Sequence, residues 1–312
     1  MRYGTVSGLP QRIARLVLGT ATLSTDDRGQ AFSLLNEYAE AGGNAIDTAH
    51  IYGTNGSSEL VVGEWLSRRD RRSDLTVLVK GACTTSCTPE LVSKELGESL
   101  DRLQTGYADI YLMHRDNPAI PAGEFVEALN DEQRRGRVAA FGGSNWLPSR
   151  IEEANRYAAR HNLTGFTVSS PNFCLGRWNE PTWVDCYSAS DPATRRWYES
   201  HDVALFAWSA QANGFFTGRY TRDDATNQDA AEVARVWFND ENFTRLERAR
   251  ELARRHGVES TQIALAYVIS QRFNSFALIG PHSVDELTSS LQAADLTLTP
   301  DECAHLNLEV PS

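Results

Sequence analysis

Asn44-Ala-Ile-Asp47-Thr-Ala-His-Ile-Tyr52-Gly53 is the stretch on which the fold turns. Its first half is an apolar run too short for a helix, and it ends on a carboxylate followed by a turn. That is the pattern of a parallel strand buried on both faces, with a polar residue where the strand emerges. Runs of the same kind recur along the chain. Leu16–Thr20 lies before Asn44–Thr48, and Leu75–Lys80, Ala108–His114, Val138–Ser144, Phe166–Ser170, Ala204–Ser209 and Phe276–Gly280 follow it. The early runs are spaced roughly 30 residues apart, the length of one strand-plus-helix unit.

Between the runs lie segments with helical spacing: Gln30–Ala41, Pro89–Leu103, Ser149–His161, Arg245–His256, Thr261–Gln271 and Ser283–Ala293. Pro89–Leu103 places Leu91, Leu96, Leu100 and Leu103 on one stripe, behind a Thr88 cap and a first-turn proline. Eight units of this kind predict an α/β fold, a (β/α)8 TIM barrel formed as one domain over residues 1–312. Residues 1–14 are expected to form a small β-hairpin plugging the barrel floor. The seventh unit carries a polar insertion, roughly Gly218–Asn242, which reads either as a surface loop or as a flap over the site. An open doubly wound sheet would want G-x-G-x-x-G after its first strand. The chain contains no G-x-G, and it also lacks a P-loop, G-x-S-x-G and H-E-x-x-H.

The composition narrows the partners. A formal charge of −11 disfavours phosphate backbones and anionic membranes, so neither nucleic acid nor a membrane is expected. The five cysteines, Cys83, Cys87, Cys174, Cys186 and Cys303, are odd in number and irregularly spaced, which fits reduced thiols. No basic-then-apolar leader and no run of about 18 apolar residues is present, so the cytoplasm is the default location. No metal-ligand spacing stands out, and the oligomeric state is open.

In a βα barrel the chemistry sits at the C-terminal ends of the strands. Asp47, Lys80 and His114 occupy three such ends in succession, and Tyr52 follows on the loop after Asp47. Tyrosine, with a reference pKa near 10, is a weak acid at neutral pH. A unit charge about 4 Å away is worth roughly 4 kcal/mol at an effective dielectric of about 20. A two-unit shift needs only about 2.7 kcal/mol. Lys80 is therefore expected to lower the Tyr52 pKa, with Asp47 keeping the lysine charged. His114 can donate to a carbonyl oxygen. The set handles protons at an oxygen that becomes negative and lacks a nucleophile, which a hydride-donating cofactor would supply.

The chain resembles the aldo-keto reductase family over nearly its whole length. The resemblance rests on Leu18-Gly-Thr-Ala, Asp47…Tyr52-Gly53, Val79-Lys80-Gly, Leu112-Met-His114-Arg-Asp, Gly143-Ser-Asn145-Trp, Trp208-Ser-Ala-Gln and Leu278-Ile-Gly280-Pro. It implies reduction of an aldehyde or ketone, sugar- or natural-product-like among them, by NAD(P)H bound across the barrel rim. Tyr52 would be the general acid, Asp47 and Lys80 its partners, and His114 the carbonyl orienter. The implied cofactor residues are Gly19, Thr20, Ala21, Asp47, Ser144, Asn145, Ser170, Trp208, Ser209, Ala210, Gln211, Arg219, Gly280, His282, Glu286 and Ser290. Ser144 and Asn145 would hold the nicotinamide carboxamide, with Ser170 where the family usually has Gln. Trp208 would stack on the ring, and Arg219 would clamp the pyrophosphate.

NADPH is the family's usual cofactor. The loop around His282 and Glu286 lacks Lys and Arg, which raises the standing of NADH. Tyr52, His114 and Trp146 are the expected substrate contacts. Trp178, Trp183 and Tyr187 either line the pocket or pack its loop. Three other readings stand beside this one: a catalytically weak cofactor-binding or redox-sensing subunit, an NAD-dependent alcohol or sugar dehydrogenase working oxidatively, and a Schiff-base aldolase using Lys80.

Overall fold

The structure, a computed structural model, describes residues 1–84 and 86–310. Two short antiparallel strands, Tyr3–Gly4 (β1) and Ile13–Ala14 (β2), form the N-terminal hairpin. Eight parallel strands then close into a barrel: Leu16–Gly19 (β3), Ala45–Ala49 (β4), Thr76–Gly81 (β5), Ala108–Met113 (β6), Val138–Ser144 (β7), Val168–Ser170 (β8), Ala204–Ala207 (β9) and Ser275–Ile279 (β10). Each pairs with its sequence neighbour, and β10 closes the ring onto β3. The expected barrel and hairpin are both present.

The strands are apolar on both faces because each face has its own core. Leu16, Leu18, Ile46, Val77, Val79, Tyr111 and Phe141 point outward and pack under the helices. Val17, Ala45, Leu78, Leu112, Val168, Phe206 and Leu278 point inward and fill the barrel, together with Val6 and Ile13 of the hairpin. The hairpin thus seals the floor. Phe206 and Phe276 stack inside it, with ring centroids 4.7 Å apart.

The helices depart from expectation in places. Ser57–Ser67, Ala122–Arg134 and Pro192–Ser200 complete units whose helices the spacing did not reveal. Ser57–Ser67 buries Val61, Val62, Trp65, Leu66 and even Glu59, so it shows no clean polar face. Pro192–Ser200 buries only Tyr198, so it shows no apolar stripe. The sixth barrel strand is shorter than expected, and Asp240–His256 begins ahead of Arg245 because the Asn239 side chain caps it by accepting from Asn242 N–H. The insertion is a folded wall. It contains a helix, Ala231–Trp237, whose Val236 and Trp237 are buried.

No helix among the described residues is long and apolar enough to cross a membrane.

The interior stack offers a test of the barrel core. Phe206→Ala should cost about 3–5 kcal/mol of folding free energy in a urea titration, because the surrounding sheet cannot collapse onto the void. A loss below about 1 kcal/mol would show that the barrel interior is not packed as described.

Candidate active site

Side chains alternate along a strand, so the residue two beyond each inward apolar residue also points inward, one layer higher. Those residues are Gly19, Asp47, Lys80, His114, Ser170, Trp208 and Gly280, and on β7 Ser144 stands four residues beyond the inward Ala140. All eight line one cleft of about 820 Å³ at the C-terminal mouth of the barrel. The pleat converts an apolar plug into a polar floor within a single step.

Lys80 and Asp47, both nearly fully buried, form an ion pair across β4 and β5. Burial by itself favours a neutral lysine, but the Asp47 carboxylate and the Tyr52 hydroxyl outweigh it and hold the Lys80 pKa above its ordinary value. Burial pushes the Asp47 carboxyl up, and Lys80 pulls against that push. The pair is ionic, because each charge is the partner that makes the other's burial tolerable.

Tyr52 is placed by its own loop. Its N–H donates to the Ala49 carbonyl at 2.9 Å, and its carbonyl accepts from Ser58 N–H at 3.3 Å. Gly53 has a φ of +71°, and a Cβ there would lie 2.2 Å from Ser57 Oγ, so only glycine lets the chain turn after the tyrosine. The Tyr52 ring lies edge-on to the His114 ring with centroids 6.0 Å apart, and Lys80 Nζ sits 5.1 Å from the Tyr52 centroid.

The net direction of the Tyr52 pKa corrects the sequence expectation. Burial raises it, and although Lys80 pulls it down, Asp47 cancels part of that pull. Tyr52 is therefore a protonated phenol at neutral pH. Burial, with the Lys80 and Arg115 charges, lowers the His114 pKa well below its ordinary value, so the ring is neutral. Its Nδ1 lies 3.7 Å from Cys83 Sγ. Burial pushes the Cys83 thiol up to about 12. A protonated thiol beside Nδ1 leaves Nε2 to carry the imidazole proton.

Across the cleft, Ser144 Oγ donates to the Ser170 carbonyl and Ser170 Oγ to the Phe206 carbonyl, both at 2.8 Å. These hydroxyl hydrogens are committed to the barrel itself. Asn145 Oδ1 is different, being buried and without a partner among the described residues. Trp208 stands beside Trp183 and Trp178, with centroids 5.3 and 5.7 Å away. The rest of the floor and walls includes Ala21, Ser209, Ala210, Gln211, Arg219, His282, Glu286 and Ser290.

Two expected residues lie elsewhere. Thr20 does not line the cleft. It is fully buried, and its hydroxyl donates to the Asp47 carbonyl at 3.0 Å. Trp146 is not a pocket wall. It is fully buried behind the floor, with Nε1 donating to the Arg115 carbonyl and its ring against Phe125 and Phe166. Of the three aromatic residues left open on the sixth loop, Trp183 lines the cleft. Tyr187 bonds Tyr198 through its hydroxyl, and Trp178 also packs against Trp237. Sequence reading missed Arg115 and Cys186, and it missed Tyr220, Asp229, Glu232 and Val233 on the insertion wall. Arg115 had one available signal, its place directly after His114.

The family model described as "Aldo/keto reductase family" matches residues 15–308. The chain is 29% identical to aldo-keto reductase ausK of Aspergillus calidoustus, covering 95% of this chain and 77% of that one. It is 27% identical to norsolorinic acid reductase B of Aspergillus parasiticus, covering 93% and 79%. It is 26% identical to aryl-alcohol dehydrogenase GME11368 of Pestalotiopsis microspora, covering 93% and 77%. The crystal structure of a thermostable aldo-keto reductase, Tm1743, superposes with a TM-score of 0.76 over 99% of both chains at 22% identity, a likeness of fold.

The neutral His114 has a consequence for stability. Below about pH 6.5 an unfolded chain protonates this imidazole and the folded chain does not. The unfolded state then binds more protons, so this contribution to stability is lost as pH falls. Urea titrations at mildly acidic pH should show a stability slope in His114→Gln that is shallower by up to about 1.4 kcal/mol per pH unit. An unchanged slope would contradict a neutral buried His114.

Proposed function

From its membership of the aldo/keto reductase family, a family of oxidoreductases, we propose that this chain reduces an aldehyde or ketone to an alcohol with a nicotinamide cofactor, Tyr52 giving the proton. The observation that carries the reading is the convergence of Asp47, Tyr52, Lys80 and His114 on one cleft floor.

The cleft suits the cofactor. The buried acceptor Asn145 Oδ1 lacks a partner among the described residues and matches a carboxamide N–H donor, and Trp208 offers an aromatic face in the same cleft. Ser144 and Ser170 then act by bracing Asn145, whose N–H donates to the Ser170 carbonyl at 3.2 Å and whose Nδ2 donates to Ser144 Oγ at 3.2 Å. Arg219 and Gln211 extend the same wall toward a pyrophosphate. When bound, a reduced nicotinamide supplies a hydride to the carbonyl carbon.

The chain's own residues do the rest. His114 Nε2–H donates to the carbonyl oxygen and orients it. Tyr52, a phenol at neutral pH, gives its proton to that oxygen as negative charge develops. Lys80 acts chiefly after the proton leaves, because its ammonium then faces a phenolate. Asp47 keeps Lys80 charged throughout. The same ion pair weakens the aldolase reading, since a protonated lysine is no nucleophile. The aromatic wall of Trp183 and Trp208, together with relatives named for aryl alcohols and norsolorinic acid, favours aromatic carbonyl substrates.

NADPH is the family's habit, but the helix that starts at Val284 brings an opposing charge into the cleft. Glu286 accepts from His282 N–H at 2.7 Å beside the Ser283 cap. A carboxylate held there would repel a 2′-phosphate and can accept from a ribose diol, which favours NADH.

Tyr52→Phe should lower kcat on benzaldehyde by at least about 10²-fold while fluorescence titration shows cofactor binding preserved. Full activity in that variant would sink the mechanism. In parallel titrations, Glu286→Gln should tighten NADPH by about tenfold, or 1.4 kcal/mol, and leave NADH no tighter. Equal effects on both cofactors would remove Glu286 as the discriminating residue.

A further inference from the structure

Three cationic side chains line the cleft: Lys80, Arg115 and Arg219. Lys80 is neutralised by Asp47. Arg219 leans over the Tyr220 ring, 4.7 Å from its centroid, on the wall assigned to the pyrophosphate. Arg115 has no such employment, although its main chain is held firmly. Its N–H donates to the Ala82 carbonyl at 3.2 Å, and its carbonyl accepts from Trp146 Nε1 at 3.2 Å. Its guanidinium makes one hydrogen bond, from Nη1 to the His114 carbonyl at 2.9 Å. Among the described residues it forms no ion pair, while the adjacent Asp116 is taken by Arg150 at 3.0 Å.

The position of this charge is specific. The Arg115 charge is felt by both His114 and Cys186, and all three residues line the cleft. The half-buried guanidinium keeps N–H groups with no partner among the described residues, and these are available to a ligand in the cleft. Its planar fork matches a carboxylate, which can take two parallel hydrogen bonds. Trp183, lining the same cleft and half exposed, gives an aromatic surface beside Trp208. Of the carboxylates lining the cleft, Asp47 is paired with Lys80, Glu286 lies on the helix that starts at Val284, and Asp229 and Glu232 belong to the insertion. In a chain of net charge −11, a local cation is what would admit an anionic substrate at all.

We propose that Arg115 anchors a carboxylate on the substrate, so that the preferred substrates are aromatic carbonyl compounds bearing an acid group. This rests on the carbonyl-reduction reading and names the substrate class within it. The three carboxybenzaldehyde isomers and their methyl esters form matched pairs that differ only in the charge. In wild-type protein the best acid should exceed its ester in kcat/KM. In Arg115→Gln that ratio should fall by at least about tenfold, mainly through KM, and Arg115→Lys should keep part of it. Taking the ratio removes any general loss caused by the variant.

A second measurement needs no turnover. Benzoate binding to the wild-type protein with cofactor, followed by tryptophan fluorescence, should weaken by a similar factor in Arg115→Gln and weaken with added salt in wild type. An unchanged acid-to-ester ratio, or benzoate binding indifferent to both the variant and salt, would overturn the proposal. Benzoate binding through Arg115 with no aldehyde reduced would uphold the anion site and instead fail the carbonyl-reduction reading.

Discussion

The strand pleat inside a closed parallel barrel is the constraint on which the rest of this structure depends. A barrel of this size must fill its interior with side chains, and each strand can offer only every second residue. Here the hairpin residues Val6 and Ile13 seal the bottom, and a layer including Val17, Leu78, Leu112, Phe206 and Leu278 fills the middle. The next inward step on each strand has no further layer above it. Glycines there leave room, and polar residues there face a common space. The cleft floor is therefore set by the same periodicity that builds the core.

Placing Asp47 and Lys80 on that floor has an electrostatic cost that only their mutual contact offsets. The outcome differs from a simple picture of a lysine acidifying a tyrosine. Burial and the Asp47 charge together keep Tyr52 protonated, and burial keeps His114 neutral. A proton donor and a neutral hydrogen-bond donor, side by side, suit delivery of a proton to a carbonyl oxygen. Removing a proton from an alcohol would ask the same tyrosine to stay ionised against its surroundings. In the reducing direction activity should persist through neutral pH and decline only above the ordinary phenol range near 10.

What the sequence revealed followed from periodicity, and what it hid followed from its loss. The strands and the residues that end them were legible because short apolar runs stop at Asp47, Lys80 and His114. Thr20 was misassigned although the pleat already speaks against it, since it stands one step after the inward Gly19 and so points out. Trp146 could not be placed by counting, because Asn145 adopts a left-handed φ of +59° and resets the direction of the chain. The insertion read from its charges as a surface loop or a flap, yet Val236 and Trp237 are buried, with Trp237 against Trp178 of the loop after β8. Arg115 was passed over because its lack of an ion-pair partner among the described residues is visible only in the folded arrangement.

The central claim is that this floor delivers a proton to the carbonyl oxygen while the carbonyl carbon receives hydride. Benzaldehyde should be turned over in ordinary water with NADH and NADPH carrying deuterium at both C4 positions, and the benzyl alcohol examined by mass spectrometry and NMR. One deuterium on the carbinol carbon, beside the hydrogen that the aldehyde already carried, is the result expected. Alcohol formed without deuterium at that carbon would contradict the account.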